Sequence, residues 1–104
     1  MIIQINTDKT LTGEKRSGDF FTSQIAEALQ RFESHITRIE VHLKDENGKK
    51  DGFNDISCLL EARLEGRQPI AISNQANTID LAVAGAIDKI KSAIETIIGK
   101  SQKH

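Results

Sequence analysis

Scarcity sets the first limits on this chain. It has a single cysteine, Cys58, so no disulfide can close within it, and a reducing compartment is the simpler expectation. It has one proline, Pro69, and nowhere a stretch rich enough in proline, glycine or serine to act as a linker. There is no internal repeat either. One domain over residues 1–104 is therefore expected, a length that buries a modest core without crosslinks or metal and is too short for two cores. No apolar run approaches the length of about 20 residues that spans a bilayer, and Met1–Ile5 carries no basic leader, so a cytoplasmic protein with no membrane partner is expected. An excess of one charge is missing too. With 28% charged residues and a formal net charge of -1, bulk electrostatics exclude both a strongly basic nucleic-acid binder and an acidic tail. Any nucleic-acid site must be a local patch.

Chemistry is equally sparse. His35, His42 and His104 have no metal-ligand spacing with one another or with Cys58, and no acidic residue is placed in the sequence to complete a three-ligand set, so no metal site is expected. Cys58 shares strand parity with Ile56 and Leu60, which puts its thiol in the core rather than in a nucleophile's exposed setting. Glu61 and Glu65 share a strand face, but Arg63 stands between them, and a solvated charge ladder accounts for all three. The phosphate-loop pattern Gly-x-x-x-x-Gly-Lys is absent, and Gly48-Lys49-Lys50 lacks both the strand-to-helix setting and the hydroxyl residue that such a loop needs. These absences predict no catalytic residue, no cofactor and no enzymatic activity.

What the chain does have is periodicity. From Asn77 to Lys100, Ile79, Val83, Ala86, Ile87, Ile90, Ile94 and Ile97 recur at helical spacing and form one apolar face, with Asn77 as the cap. Such a helix depends on packing that face against another surface. A first helix is marked by Phe21, Ile25, Ala28, Leu29, Phe32 and Ile36, with Asp19 as its cap and His35 near its carboxyl end. Asp8 to Gly18 before it reads as an exposed connection.

Between and before the helices the period is two. Ile3 and Ile5 mark a short first strand; Ile39, Val41 and Leu43 mark a second over Thr37 to Lys44. Asn47-Gly48 and Gly52 turn the chain into a third over Asp55 to Glu65, with Ile56, Cys58, Leu60, Ala62 and Leu64 inward. Gly66-Arg67-Gln68 turns it again, and Pro69 opens a fourth with Ile70 and Ile72 inward. The single stripe on each helix predicts that both cover one face of one sheet. The fold class is thus α+β: a βαβββα two-layer sandwich whose four-stranded sheet is mixed, with the first two strands parallel across a right-handed crossover and the later neighbours antiparallel.

One candidate site remains, a set of cations: Arg31, Arg38, Lys44, Arg63, Lys89 and Lys91. They could hold phosphates. They could equally belong to an ordinary mixed surface, because Glu40, Glu61, Glu65 and Asp88 interleave with them.

Arg31-Phe32-Glu33, then Ile36-Thr37-Arg38-Ile39 and Val41-His42-Leu43-Lys44, resemble the first helix and second strand of the hibernation-promoting factor and ribosome-associated inhibitor A family. Ile87-Asp88-Lys89-Ile90 resembles that family's last helix, and the element order is the family's own across nearly the whole chain. The resemblance implies a non-enzymatic protein that binds the small ribosomal subunit in the channel for messenger and transfer RNA and silences translation when growth slows. It assigns contact with ribosomal RNA phosphates to Arg31, Arg38, Lys44 and Lys89, contacts that position without reading sequence. The basic field is thinner here than in the family: the last helix carries Ser92, Glu95 and Thr96, and the first carries Gln24 and Glu27. Asp80 stands where an aromatic residue is common. Binding is thus expected to be electrostatic but shallow. The alternative on the same fold is a protein-interaction or dimerisation module using the solvent face of the sheet, where Leu59 lies.

Overall fold

The computed structural model describes residues 1–7, 15–45 and 56–102, and within them the side chains of all but residues 7, 15–19, 45 and 100–102. The elements run β1 (Ile2–Thr7), α1 (Lys15–Ala28), a 3-10 segment (Gln30–His35), β2 (Ile36–Asp45), β3 (Ile56–Leu64), β4 (Ile70–Ala76) and α2 (Ile79–Gln102). The strands lie in the order β1-β2-β3-β4. β1 runs parallel to β2, because α1 carries the chain back before it pairs, and the β2–β3 and β3–β4 pairs are antiparallel. The four-stranded mixed α+β sandwich read from periodicity is the observed one.

Alternation along the central strands decides where the core sits. Ile39, Val41 and Leu43 of β2 and Cys58, Leu60 and Ala62 of β3 are buried on one face. Phe21, Ile25 and Leu29 from the first helical region and Val83, Ala86, Ile87, Ile90 and Ile94 of α2 join them in one continuous cluster, so both helices cover that face. Among the described residues no element covers the other face of the sheet. Among the described residues no helix is long and apolar enough to cross a membrane.

Several boundaries differ from the periodic reading, each for a local reason. α1 starts at Lys15, inside the segment read as a connection, so Asp19 lies within the helix instead of capping it. The stripe from Phe21 to Ile36 is not one helix. Leu29 N–H still donates to Ile25 at 3.0 Å, but Phe32 N–H donates to Leu29 at 2.9 Å, and this tighter three-residue step brings Phe32 into the core before the chain extends at Ile36. Ile36 and Ile39 are both buried although three residues apart, because a register irregularity between Ile36 and Arg38 resets the alternation. Thr78, not Asn77, caps α2: its hydroxyl accepts from Leu81 N–H at 3.1 Å, and its carbonyl accepts from Ala82 N–H at 3.0 Å. At the far end Ile98 is buried and Ile97 only half-buried.

The turn after β3 closes through Arg67 N–H to the Leu64 carbonyl at 3.2 Å, with Gly66 at φ 72°, a left-handed position that favours glycine. The expected Asn47-Gly48 turn lies outside the described residues.

Candidate nucleic-acid interface

The open face is laid out by strand register. Arg38, Glu40, His42 and Lys44 alternate with the buried residues of β2 and so point away from the helices. Ile2, Gln4 and Asn6 flank them from β1, opposite Arg38, Glu40 and His42, while Arg63, Glu61, Leu59 and Ser57 flank them from β3. Two like-charge pairs therefore face each other across β2 and β3, Arg38 with Arg63 and Glu40 with Glu61. Along β2 the signs alternate. Arg38 uses this: its Nε donates to Glu40 Oε2 at 3.1 Å, and its Nη2 donates to Gln4 Oε1. His42 Nε2 lies 3.1 Å from Glu61 Oε1 and 3.7 Å from Glu40 Oε1. A polar chain of Gln4, Arg38, Glu40, His42 and Glu61 thus ties β1, β2 and β3 together on their solvent side.

The four cations assigned to phosphate contact are dispersed. Arg38 and Lys44 share the open face on one strand, six positions or about 20 Å apart. Arg31 sits on the 3-10 segment, beyond the end of α1, with its guanidinium 4.7 Å over the Phe32 ring and 2.7 Å from Glu95 of α2. Lys89 reaches from α2 to the edge strand β4, where its ammonium donates to the Ser73 carbonyl at 3.0 Å. Arg38 and Lys44 therefore belong to the sheet surface, whereas Arg31 and Lys89 belong to the helical layer. Their local partners do not bar an incoming phosphate, since exposed ion pairs contribute only about 0–1 kcal/mol.

Other residues fall into place. Cys58 is fully buried, and burial pushes its thiol up to about 12, which leaves it protonated and unreactive at neutral pH. Leu59 is half-buried on the open face between His42 and Ser73. Glu61 belongs to the polar chain through His42, whereas Glu65 lies just past the end of β3, so the proposed charge ladder has only its inner part on the strand.

The sequence spacing of histidines and carboxylates hid one grouping. Glu40 and His42 are two apart on one strand face, and register adds Glu61 from β3, so that one ligand atom from each lies within 4.8 Å of the others. This cross-strand contact brings two carboxylates to His42, a juxtaposition that spacing along the sequence does not show. Pairing β2 with β3 by their inward residues, Val41 opposite Leu60, would have exposed it.

No protein-family model matches the chain, and no curated protein matches it in sequence. Solved structures do. The chain is similar to the N-terminal domain of Protein Y from Thermus thermophilus, with a TM-score of 0.73 and 14% identity over 93% of this chain and 99% of that one. It is similar also to a ribosomal subunit interface protein from Coxiella burnetii, with a TM-score of 0.72 and 13% identity over 95% of this chain and 99% of the other. At this identity the likeness is one of fold. Both neighbours are of the kind the sequence resembles, and the likeness covers nearly the whole chain.

Proposed function

We propose that residues 1–104 form a single non-enzymatic domain that associates with ribosomes in the cytoplasm and restrains translation, contacting small-subunit ribosomal RNA through Arg31, Arg38, Lys44 and Lys89. The observation that carries the reading is the end-to-end likeness of fold to the Protein Y N-terminal domain and to a ribosomal subunit interface protein, joined to the family-like runs around Arg31–Lys44 and Ile87–Ile90. The dispersal of the cations over the sheet face, the 3-10 segment and α2 fits a partner that wraps around the domain better than one that docks on a single face. Contacts of this type go to phosphates, so they anchor and orient without reading bases.

A salt series tests this. Each neutralised phosphate contributes a log-log slope of roughly 0.7–0.9, so four contacts give a slope near three, shallow for a ribosome-binding protein. In a ribosome pelleting assay the wild type should co-sediment with small subunits at low salt and be released with that slope. Lys89→Glu should weaken binding and flatten the slope by more than about one unit, because it removes a contact and adds repulsion. A wild type that stays in the supernatant at low salt overturns the reading; identical slopes for both proteins would move the contact away from Lys89.

A second reading, a homodimer through the open sheet face, rests on Leu59, the half-buried aliphatic residue in the middle of that face. Sedimentation equilibrium of the free protein separates the two, since this reading needs a dimer that Leu59→Glu dissolves.

A further inference from the structure

Glu40 and Glu61 are direct cross-strand partners on the two central strands, an arrangement that costs free energy unless something cationic lies between them. Arg38 relieves only part of it, because its Nε engages Glu40 Oε2 and leaves Oε1 turned toward His42. A neutral His42 cannot satisfy both carboxylates through Nε2, which can carry only one proton. A divalent ion can. We propose that Glu40 Oε1, His42 Nε2 and Glu61 Oε1 form a surface site for a divalent cation of the zinc class, one that accepts an imidazole ligand.

The distances suit such an ion. With bonds of about 2.0–2.2 Å to imidazole nitrogen and carboxylate oxygen, ligand atoms around a tetrahedral centre stand about 3.4 Å apart. His42 Nε2 lies 3.1 Å from Glu61 Oε1 and 3.7 Å from Glu40 Oε1, and one ligand atom from each residue lies within 4.8 Å of the others, so rotation of the glutamate side chains closes the set. Binding requires the His42 tautomer with its proton on Nδ1, leaving the Nε2 lone pair for the ion. The imidazole sets the class, because nitrogen ligation suits zinc, nickel or copper whereas magnesium and calcium take oxygen. Two ligands ride on β2 and one on β3, strands paired on both sides, so the site is held by the sheet rather than by loops. Its solvent side leaves the fourth position to water. The Arg38 hydrogen bond to Glu40 supplies the kind of outer contact that orients a ligating carboxylate. This inference stands apart from the ribosome reading, since it needs no RNA.

The test is titration of the purified metal-free chain with zinc chloride in a calorimeter, beside the visible spectrum of the cobalt-loaded protein. The wild type should bind one equivalent, and the cobalt form should show tetrahedral absorption bands with no thiolate charge-transfer band, because Cys58 is buried. His42→Gln and Glu61→Gln should each weaken binding by at least about tenfold, while His35→Gln and His104→Gln leave it unchanged. Thermal melts of metal-free His42→Gln and Glu61→Gln should stay cooperative, with Glu61→Gln at or above the wild-type midpoint, since both side chains are partly in solvent and the second change relieves the facing carboxylates. An isotherm without heat in the wild type, or undiminished binding by His42→Gln, overturns the proposal.

Discussion

Asn74 of β4 fills the space that a side chain at Gly85 of α2 would need: a Cβ placed on Gly85 would stand 2.7 Å from Asn74 Cγ and nearer still to its Nδ2. Asn74 belongs to the inward row of β4, with Ile70 and Ile72, and it donates to the carbonyls of Ala82 at 3.2 Å and Leu81 at 3.4 Å. The pair clamps the first turns of α2 to the edge strand. Gly85→Ala should therefore destabilise the protein: overpacking costs about 1–3 kcal/mol, partly offset by the roughly 1 kcal/mol that alanine gains over glycine in a helix. Adding Asn74→Ala removes the obstruction. The double variant should be more stable than Gly85→Ala alone in a urea melt, and a double variant less stable than either single one would refute the contact.

Ile90 is fully buried where α2 crosses the sheet, and Asp88 two residues earlier is exposed. Ile90→Ala should cost about 2–5 kcal/mol through the cavity it leaves, whereas Asp88→Ala should change stability by no more than about 0.5 kcal/mol. Equal shifts in denaturation midpoint would reject the facing of the helix.

Cys58 gives a pH dependence whose sign is fixed by burial. Its thiol titrates near 9.0 when unfolded and at about 12 when folded, so between these values the unfolded chain loses a proton that the native state keeps. The contribution is fully present below pH 9 and declines above it, by at most about 1.4 kcal/mol per pH unit. Cys58→Ala should show a shallower loss of stability than the wild type between pH 9 and 11. Parallel curves would mean that the thiolate is accommodated in the fold.

The fold was legible because alternation and helical period are local signals, and in Ile39–Leu43 and Val83–Ile94 they agree with the burial observed. The boundaries were less so. Phe32 and Ile36 keep helical spacing in the sequence, yet one sits on a 3-10 segment and the other opens β2, because spacing alone cannot separate a four-residue step from a tighter turn followed by extension. The register irregularity next to Ile36 leaves no mark in composition. At the candidate site, residues on one strand such as Arg38 and Lys44 could be placed on a face by parity. The Glu40, His42 and Glu61 grouping joins strands 19 residues apart in sequence between His42 and Glu61, and needs the register of β2 with β3 before it can be seen.

The ion pair of Arg31 with Glu95 bears directly on the proposed ribosomal RNA contact. Arg31 Nη2 lies 2.7 Å from Glu95 Oε2, with both side chains largely in solvent. A phosphate approaching Arg31 meets a carboxylate already in place, which competes for the guanidinium and repels the incoming charge. Glu95→Gln removes both obstacles while keeping a side chain of the same length. An exposed pair is worth up to about 1 kcal/mol, so the substitution should tighten binding to small-subunit particles by at most about fivefold at low salt. Arg31→Ala should act the other way and lower the log-log salt slope by roughly 0.7–0.9, the share of one phosphate. In the Arg31→Ala background most of the gain from Glu95→Gln should vanish, because the competitor then has nothing to compete for. Pelleting of all four proteins across one salt series reads the cycle. A full gain from Glu95→Gln without Arg31 would assign the effect to the general field of the domain and remove Arg31 from the interface.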